Sequence, residues 1–364
     1  MTPVTAEISK SRARVDSIQQ LRALAAISVV LVHVGSELCE RLQGGSLPLI
    51  PHDFVIGVDV FFAISGFIMY MTSASLPAGA TSLISFCRKR FIRIVPTYWF
   101  YTTLMLLASW LAARRMTNPG IDLVHVLGSY AFVPIKHPAV DTLQPILRVG
   151  WTLNYEVFFY LLFAVSLLLE RPLRMPFLFA SIFALSAFGV IADPVGLIGF
   201  YTNSVILSFM FGLAIGKLHE LGMLKGIRLS VLLAASAIAA LFLLSPFRSL
   251  SSGDFGVRGI TLGVPAALLL ASVSCVGRIK VPLFPKLGAA LTTLGDSSYS
   301  LYLSHMFAIG IFKIAFFPSS LVSALIAVPL CVLFCIICGH VAYLVAEKRL
   351  VFFSSRLIPA YSVP

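Results

Sequence analysis

"QLRALAAISVVLVH" (Gln20–His33) is the stretch on which the reading of the fold turns. It is apolar enough to begin a membrane-spanning helix, yet it carries an arginine near its start and a histidine at its end. At about 100° per residue, the spacing from Arg22 to His33 falls within about 20° of three full turns. On a helix the two side chains therefore share one face, roughly 16 Å apart along the axis. Ionisable groups are costly inside lipid, and those that occur mostly face the bundle interior and mark a site. Taken singly, each has a plainer reading. Arg22 could reach the interface along its apolar stem, and His33 could be a helix-end histidine bonded to a neighbour. The shared face weakens both plain readings when the residues are taken together.

The composition of the whole chain agrees. Of its 364 residues, 59% are hydrophobic and 12% charged, whereas a soluble domain has roughly 45–50% and about 25%. A spanning helix needs about 20 mostly apolar residues. Ten blocks approach that length, at 18–38, 54–73, 94–113, 150–169, 176–192, 198–216, 229–246, 257–276, 296–316 and 320–345. The expected fold is an all-α integral membrane protein with about ten transmembrane helices. A polar N-terminal segment at 1–17 and a tail at 351–364 flank a membrane domain at 18–350. The N-terminal segment is basic and no small-residue cleavage site follows the first block cleanly, so that block is read as a retained span.

The net charge of +12 would suggest a nucleic-acid partner in a soluble protein. Here Lys and Arg lie mainly in alternate loops, as the positive-inside rule requires. That asymmetry implies no nucleic acid, a lipid-bilayer environment and both termini in the cytoplasm, with Arg22 and Lys313 left inside spans. Arg258 counts among the outer-loop cations. The cysteines show no CxxC pair, and Cys331, Cys335 and Cys338 share a helical face, which reads as small apolar packing. No metal site is expected, since the histidines lack ligand spacing. His52, His125 and His137 read as outer-loop surface residues, and His219 and His340 as inner-side or packing residues. The long 114–149 connection holds an apolar stretch at 121–133 that is expected to lie on the membrane surface or fold back over the bundle.

Three further spans carry ionisable groups at middle-to-outer depth: Asp59 in "FVIGVDVFFAISGFIMY", Glu156 in "GWTLNYEVFFY" and His305 in "SSYSLYLSHMF". An acid beside His33 could orient its ring and stabilise its cation. A second group lies at the cytoplasmic edge. Arg90 and Arg93, in "CRKRFIRIVP", are three apart and share a face if the third helix starts early; with Arg22 they suit bidentate phosphate contacts. Two tiers of this kind fit transfer of a group from a cytoplasmic carrier to an external acceptor. They also fit a transporter or flippase for an anionic or glycolipid substrate, because intramembrane His, Asp and Glu serve as proton relays.

Five phrases resemble the acyltransferase-3 family of membrane O-acyltransferases in order and spacing: "RALAAISVVLVH", "GVDVFFAISGFIM", "RKRFIRIVPTYW", "WTLNYEVFFY" and "SYSLYLSH". The second and fourth are most similar to its exopolysaccharide-modifying, succinoglycan-type acetyltransferase branch. The resemblance covers nearly the whole chain. It implies a multi-pass protein of the inner membrane, acetyl-CoA or a related acyl-CoA as cytoplasmic donor, and a glycan or lipid-linked oligosaccharide as acceptor at the periplasmic side. It also implies that His33 is catalytic, that Arg22, Arg90 and Arg93 hold the donor's phosphates, and that Asp59, Glu156 and His305 contribute to catalysis.

Overall fold

A computed structural model describes residues 3–39, 52–73, 75–113, 122–136, 142–244, 257–276, 285–316, 318 and 320–358. In chain order the helices are α1 (Pro3–Cys39), α2 (Ile56–Ser73), α3 (Ala80–Ala113), α4 (Leu123–Tyr130), α5 (Trp151–Ser166), α6 (Arg171–Ala192), α7 (Gly196–Thr202) and α8 (Leu207–Glu220). They continue with α9 (Ile227–Leu243), α10 (Arg258–Thr261), α11 (Gly263–Ser274), α12 (Pro285–Asp296), α13 (Ser298–Ala315), α14 (Leu321–Ala342) and α15 (Lys348–Leu357). No strand occurs among the described residues.

The all-helical membrane fold is as expected, but the number of spans is not reproduced. Among the described residues, 7 helices are long and apolar enough to cross a membrane. Two of the expected blocks form the shorter apolar helices Ile227–Leu243 and Arg258–Ser274. The block at 296–316 becomes α13, whose serines, His305 and Lys313 dilute its apolar character. Its serines and His305 are buried inside the protein, so composition alone understates it. His125 is also a correction: it is 1% exposed, not a surface residue. Asp122 caps α4 by accepting the His125 backbone N–H at 2.6 Å, and His125 Nε2 bonds the Gln144 carbonyl at 2.9 Å. The side chains of His52 and His137 lie outside the described residues.

The chain forms two compact units. The first comprises residues 1–71 and 207–343, and α1 is its axis. The face bearing Ala26, Val30, Val34 and Leu38, spaced by four, packs into one apolar cluster with Leu301 and Ile309 of α13 and Ala324, Val328, Cys331 and Cys335 of α14. The face bearing Ile18, Leu21 and Ala25 joins Val60, Ala63 and Phe67 of α2 and Ala266 and Leu270 of α11 in another. Where α2 crosses α8, both helices use glycine. A Cβ on Gly66 would fall 2.2 Å from the Phe209 carbonyl oxygen, and one on Gly212 2.0 Å from that of Ala63. Such small-residue crossings let backbones approach closely where lipid supplies no hydrophobic drive between helices.

The second unit comprises residues 72–206 and 344–364. Here α4 folds back onto α3: Tyr98 Oη donates to the Ser129 carbonyl at 3.0 Å and Trp99 Nε1 to that of Tyr130 at 2.9 Å. The ring of Tyr155 on α5 stacks on Phe200 of α7 at 4.1 Å.

Candidate active site

Within the first unit, α1 and α13 run parallel. Gln19 Nε2 donates to Asp296 Oδ1 at 2.7 Å, just before α13 begins. His33 meets His305 further along, and Glu37 meets Lys313 beyond that. This register brings the two imidazoles together, with ring centroids 5.1 Å apart and planes tilted by 42°. His33 is half-buried and His305 is fully buried. Tyr302, nearly one turn before His305, lies 6.0 Å from it, centroid to centroid. It also meets Phe61 of α2 edge-on at 6.1 Å.

His305 Nδ1 lies 3.3 Å from the Leu301 carbonyl oxygen. A carbonyl only accepts, so that contact calls for a proton on Nδ1 and leaves a lone pair on Nε2 of the neutral ring. Among the described residues, the buried Nε2 has no hydrogen-bond partner, nor has the hydroxyl of the adjacent Ser304. Leaving a buried polar group unsatisfied costs about 1–3 kcal/mol, and a native protein that accepts the cost invites a functional explanation.

Arg22 lies three turns before His33 on α1 and is 9% exposed. Just before Arg22 this helix is fixed by Gln19 and by Gln20, whose Nε2 donates to the Gly288 carbonyl at 2.9 Å. Asp59, expected to orient His33, is engaged elsewhere. It is fully buried, and its described partners are Arg258 Nη2 at 2.9 Å from Oδ2 and Ser208 Oγ at 3.1 Å from Oδ1. The Arg258 side chain is only 11% exposed, so this cation is not the outer-loop charge that its position at the head of a block suggested. The available signal was the lone buried acid, which demands a cation in low dielectric.

The other three candidates lie in the second unit. Because α3 begins at Ala80, Arg90 and Arg93 share a helix, as their spacing required. The Arg90 guanidinium sits 5.4 Å from the ring centroid of Phe86 and 5.5 Å from that of Tyr160. Tyr160 Oη in turn donates to Glu156 Oε1. Arg93 is exposed and Glu156 half-buried. Sequence reasoning passed over Asn154, which is 1% exposed with neither amide atom hydrogen-bonded among the described residues. The structure thus groups Arg22, His33, Asp59 and His305 in one unit and Arg90, Arg93 and Glu156 in the other. Among the described residues, no group of three or more His, Cys, Asp or Glu side chains could hold a metal ion.

Comparison with known proteins adds a lineage. Residues 15–340 match the acyltransferase-3 family, described as an acyltransferase domain. The chain is 36% identical over 268 residues to the exopolysaccharide production protein ExoZ of Rhizobium meliloti (strain 1021), covering 71% of this chain and 79% of that protein. No solved structure matches.

Proposed function

The chain belongs to the acyltransferase-3 family, and on that premise we propose that it moves an acetyl group from cytoplasmic acetyl-CoA to a sugar hydroxyl of an exported polysaccharide, at the periplasmic side of the inner membrane. The acceptor class is supported by the similarity to a protein named for exopolysaccharide production. The observation that carries the mechanism is the imidazole pair, 5.1 Å apart on parallel helices.

His33 takes the proton of the acceptor hydroxyl as its oxygen attacks the thioester carbonyl. The tetrahedral adduct collapses, the C–S bond breaks, and the imidazolium returns the proton to the departing thiolate. General-base assistance of this kind contributes typically about 10²–10⁴-fold in rate. Since Asp59 is committed to Arg258 and Ser208, the group supporting the His33 cation is His305. With its Nδ1 proton directed to Leu301, the negative end of the ring dipole at Nε2 favours a cation nearby. Arg22, on the same face of α1 as His33, supplies a phosphate contact for the donor, and within the second unit Arg90 and Arg93, on α3, carry guanidinium groups suited to bind phosphate. Glu156 tunes that group through Tyr160, against which Arg90 packs.

The experiment is transfer of labelled acetyl from acetyl-CoA to polysaccharide by the full chain in proteoliposomes. The reading expects covalent label on glycan, and Arg22→Ala, Arg90→Ala and Arg93→Ala raising the KM for acetyl-CoA. Polysaccharide moved across the bilayer without label would contradict it.

A further inference from the structure

Lys313 is a cation inside an apolar block, and the mechanism above leaves it unused. Its Nζ lies 2.7 Å from Glu37 Oε2. The pair is not sealed, with the two side chains 24% and 33% exposed. Glu37 follows His33 by one turn of α1, about 6 Å along the axis on nearly the same face. Lys313 lies about 12 Å beyond His305 on α13. Side chains on a helix lean toward its N-terminus, which brings the ammonium back to the level of Glu37. Stability alone does not account for the pair. A partly exposed ion pair contributes about 0–1 kcal/mol, and α1 and α13 are already joined by the cluster of Val30, Val34, Leu301 and Ile309.

We propose that Glu37 and Lys313 form the subsite for the acceptor sugar ring. The carboxylate accepts hydrogen bonds from ring hydroxyls, the ammonium donates to a hydroxyl or ring oxygen, and the reacting hydroxyl is turned toward His33 one helical turn away. A pair without net charge suits an uncharged ring, and hydrogen bonds to charged groups are roughly twice as strong as neutral ones. Donor and acceptor then approach His33 from opposite directions along one helix, marked by Arg22 and Glu37. This inference rests on the acetyl-transfer reading.

The test uses the full chain in proteoliposomes, acetyl-CoA, and exopolysaccharide from the native host freed of its O-acetyl groups by mild base. Glu37→Gln and Lys313→Ala should each raise the KM for polysaccharide about tenfold, equivalent to about 1.4 kcal/mol. The KM for acetyl-CoA should stay near that of the wild type, which also reports an intact fold. The double swap Glu37→Lys with Lys313→Glu keeps an ion pair and should leave the acceptor KM high. An unchanged acceptor KM in the single variants, or one restored by the swap, would overturn the subsite and leave the acetyl-transfer reading standing. A wild-type protein that transfers no label would overturn both.

Discussion

The first unit holds two buried polar clusters that differ in what their acceptor atoms meet. Around Asp59, both carboxylate oxygens are occupied, one by Arg258 and one by Ser208. At His305, the Nε2 atom and the neighbouring Ser304 hydroxyl have no hydrogen-bond partner among the described residues. Asp59 and His305 are both fully buried, so burial does not separate the two clusters. The acceptor atoms do: a carboxylate with both oxygens taken fixes helices, whereas an open lone pair beside a second imidazole is equipped to handle a proton. The sequence placed His33, Asp59, Glu156 and His305 together at one depth, because depth was all it could read.

If the Asp59 cluster is structural, opening it should cost stability. Asp59→Ala removes the carboxylate that neutralises the largely buried Arg258 side chain, and about 3–5 kcal/mol of stability should be lost. Thermal melting of the detergent-solubilised protein reads the effect. Replacing Asp59 and Arg258 together with apolar residues of similar size should recover most of it, since a buried pair is often no better than hydrophobic packing. A double variant as unstable as the single one would show that the cluster does more than neutralise a charge.

Smaller changes sharpen the contrast from the helix side. Gly66→Ala drives a methyl group into the Phe209 carbonyl and should cost about 1–3 kcal/mol as overpacking, lowering the melting temperature with no specific effect on either KM. Ser208→Ala removes one neutral donor to Asp59 while Arg258 remains. It should cost about 1 kcal/mol, measured by the same melt. A Ser208→Ala penalty equal to that of Asp59→Ala would mean that the hydroxyl, not the guanidinium, holds the carboxylate.

Helical periodicity made one-helix relations readable. The common face of Arg22 and His33, and of Arg90 and Arg93, follows from spacing alone, and the polar content of α13 was visible as "SSYSLYLSH". Relations between helices were not readable, because they depend on register. The contact of His33 with His305 needs α1 and α13 to lie parallel at one offset. The pairing of Asp59 with Arg258 joins residues 199 apart, and no local pattern encodes it. Arg258 was misread because an arginine at the head of an apolar block looks the same whether it faces water or a buried acid. His125 was misread for a related reason: the long connection looks polar, yet Asp122 three residues earlier is a legible N-cap for the helix that buries it.

The central claim is that the imidazole pair, and not the buried carboxylate, handles the proton. The most direct measurement is acetyl transfer under saturating acetyl-CoA and polysaccharide, compared among wild type, His33→Ala and His305→Phe at matched melting temperature. The account predicts that His33→Ala loses about 10²–10⁴-fold in rate. It also predicts that His305→Phe, an apolar ring where a lone pair was left unsatisfied, melts no lower than wild type yet transfers far more slowly. Wild-type transfer in either variant would contradict it.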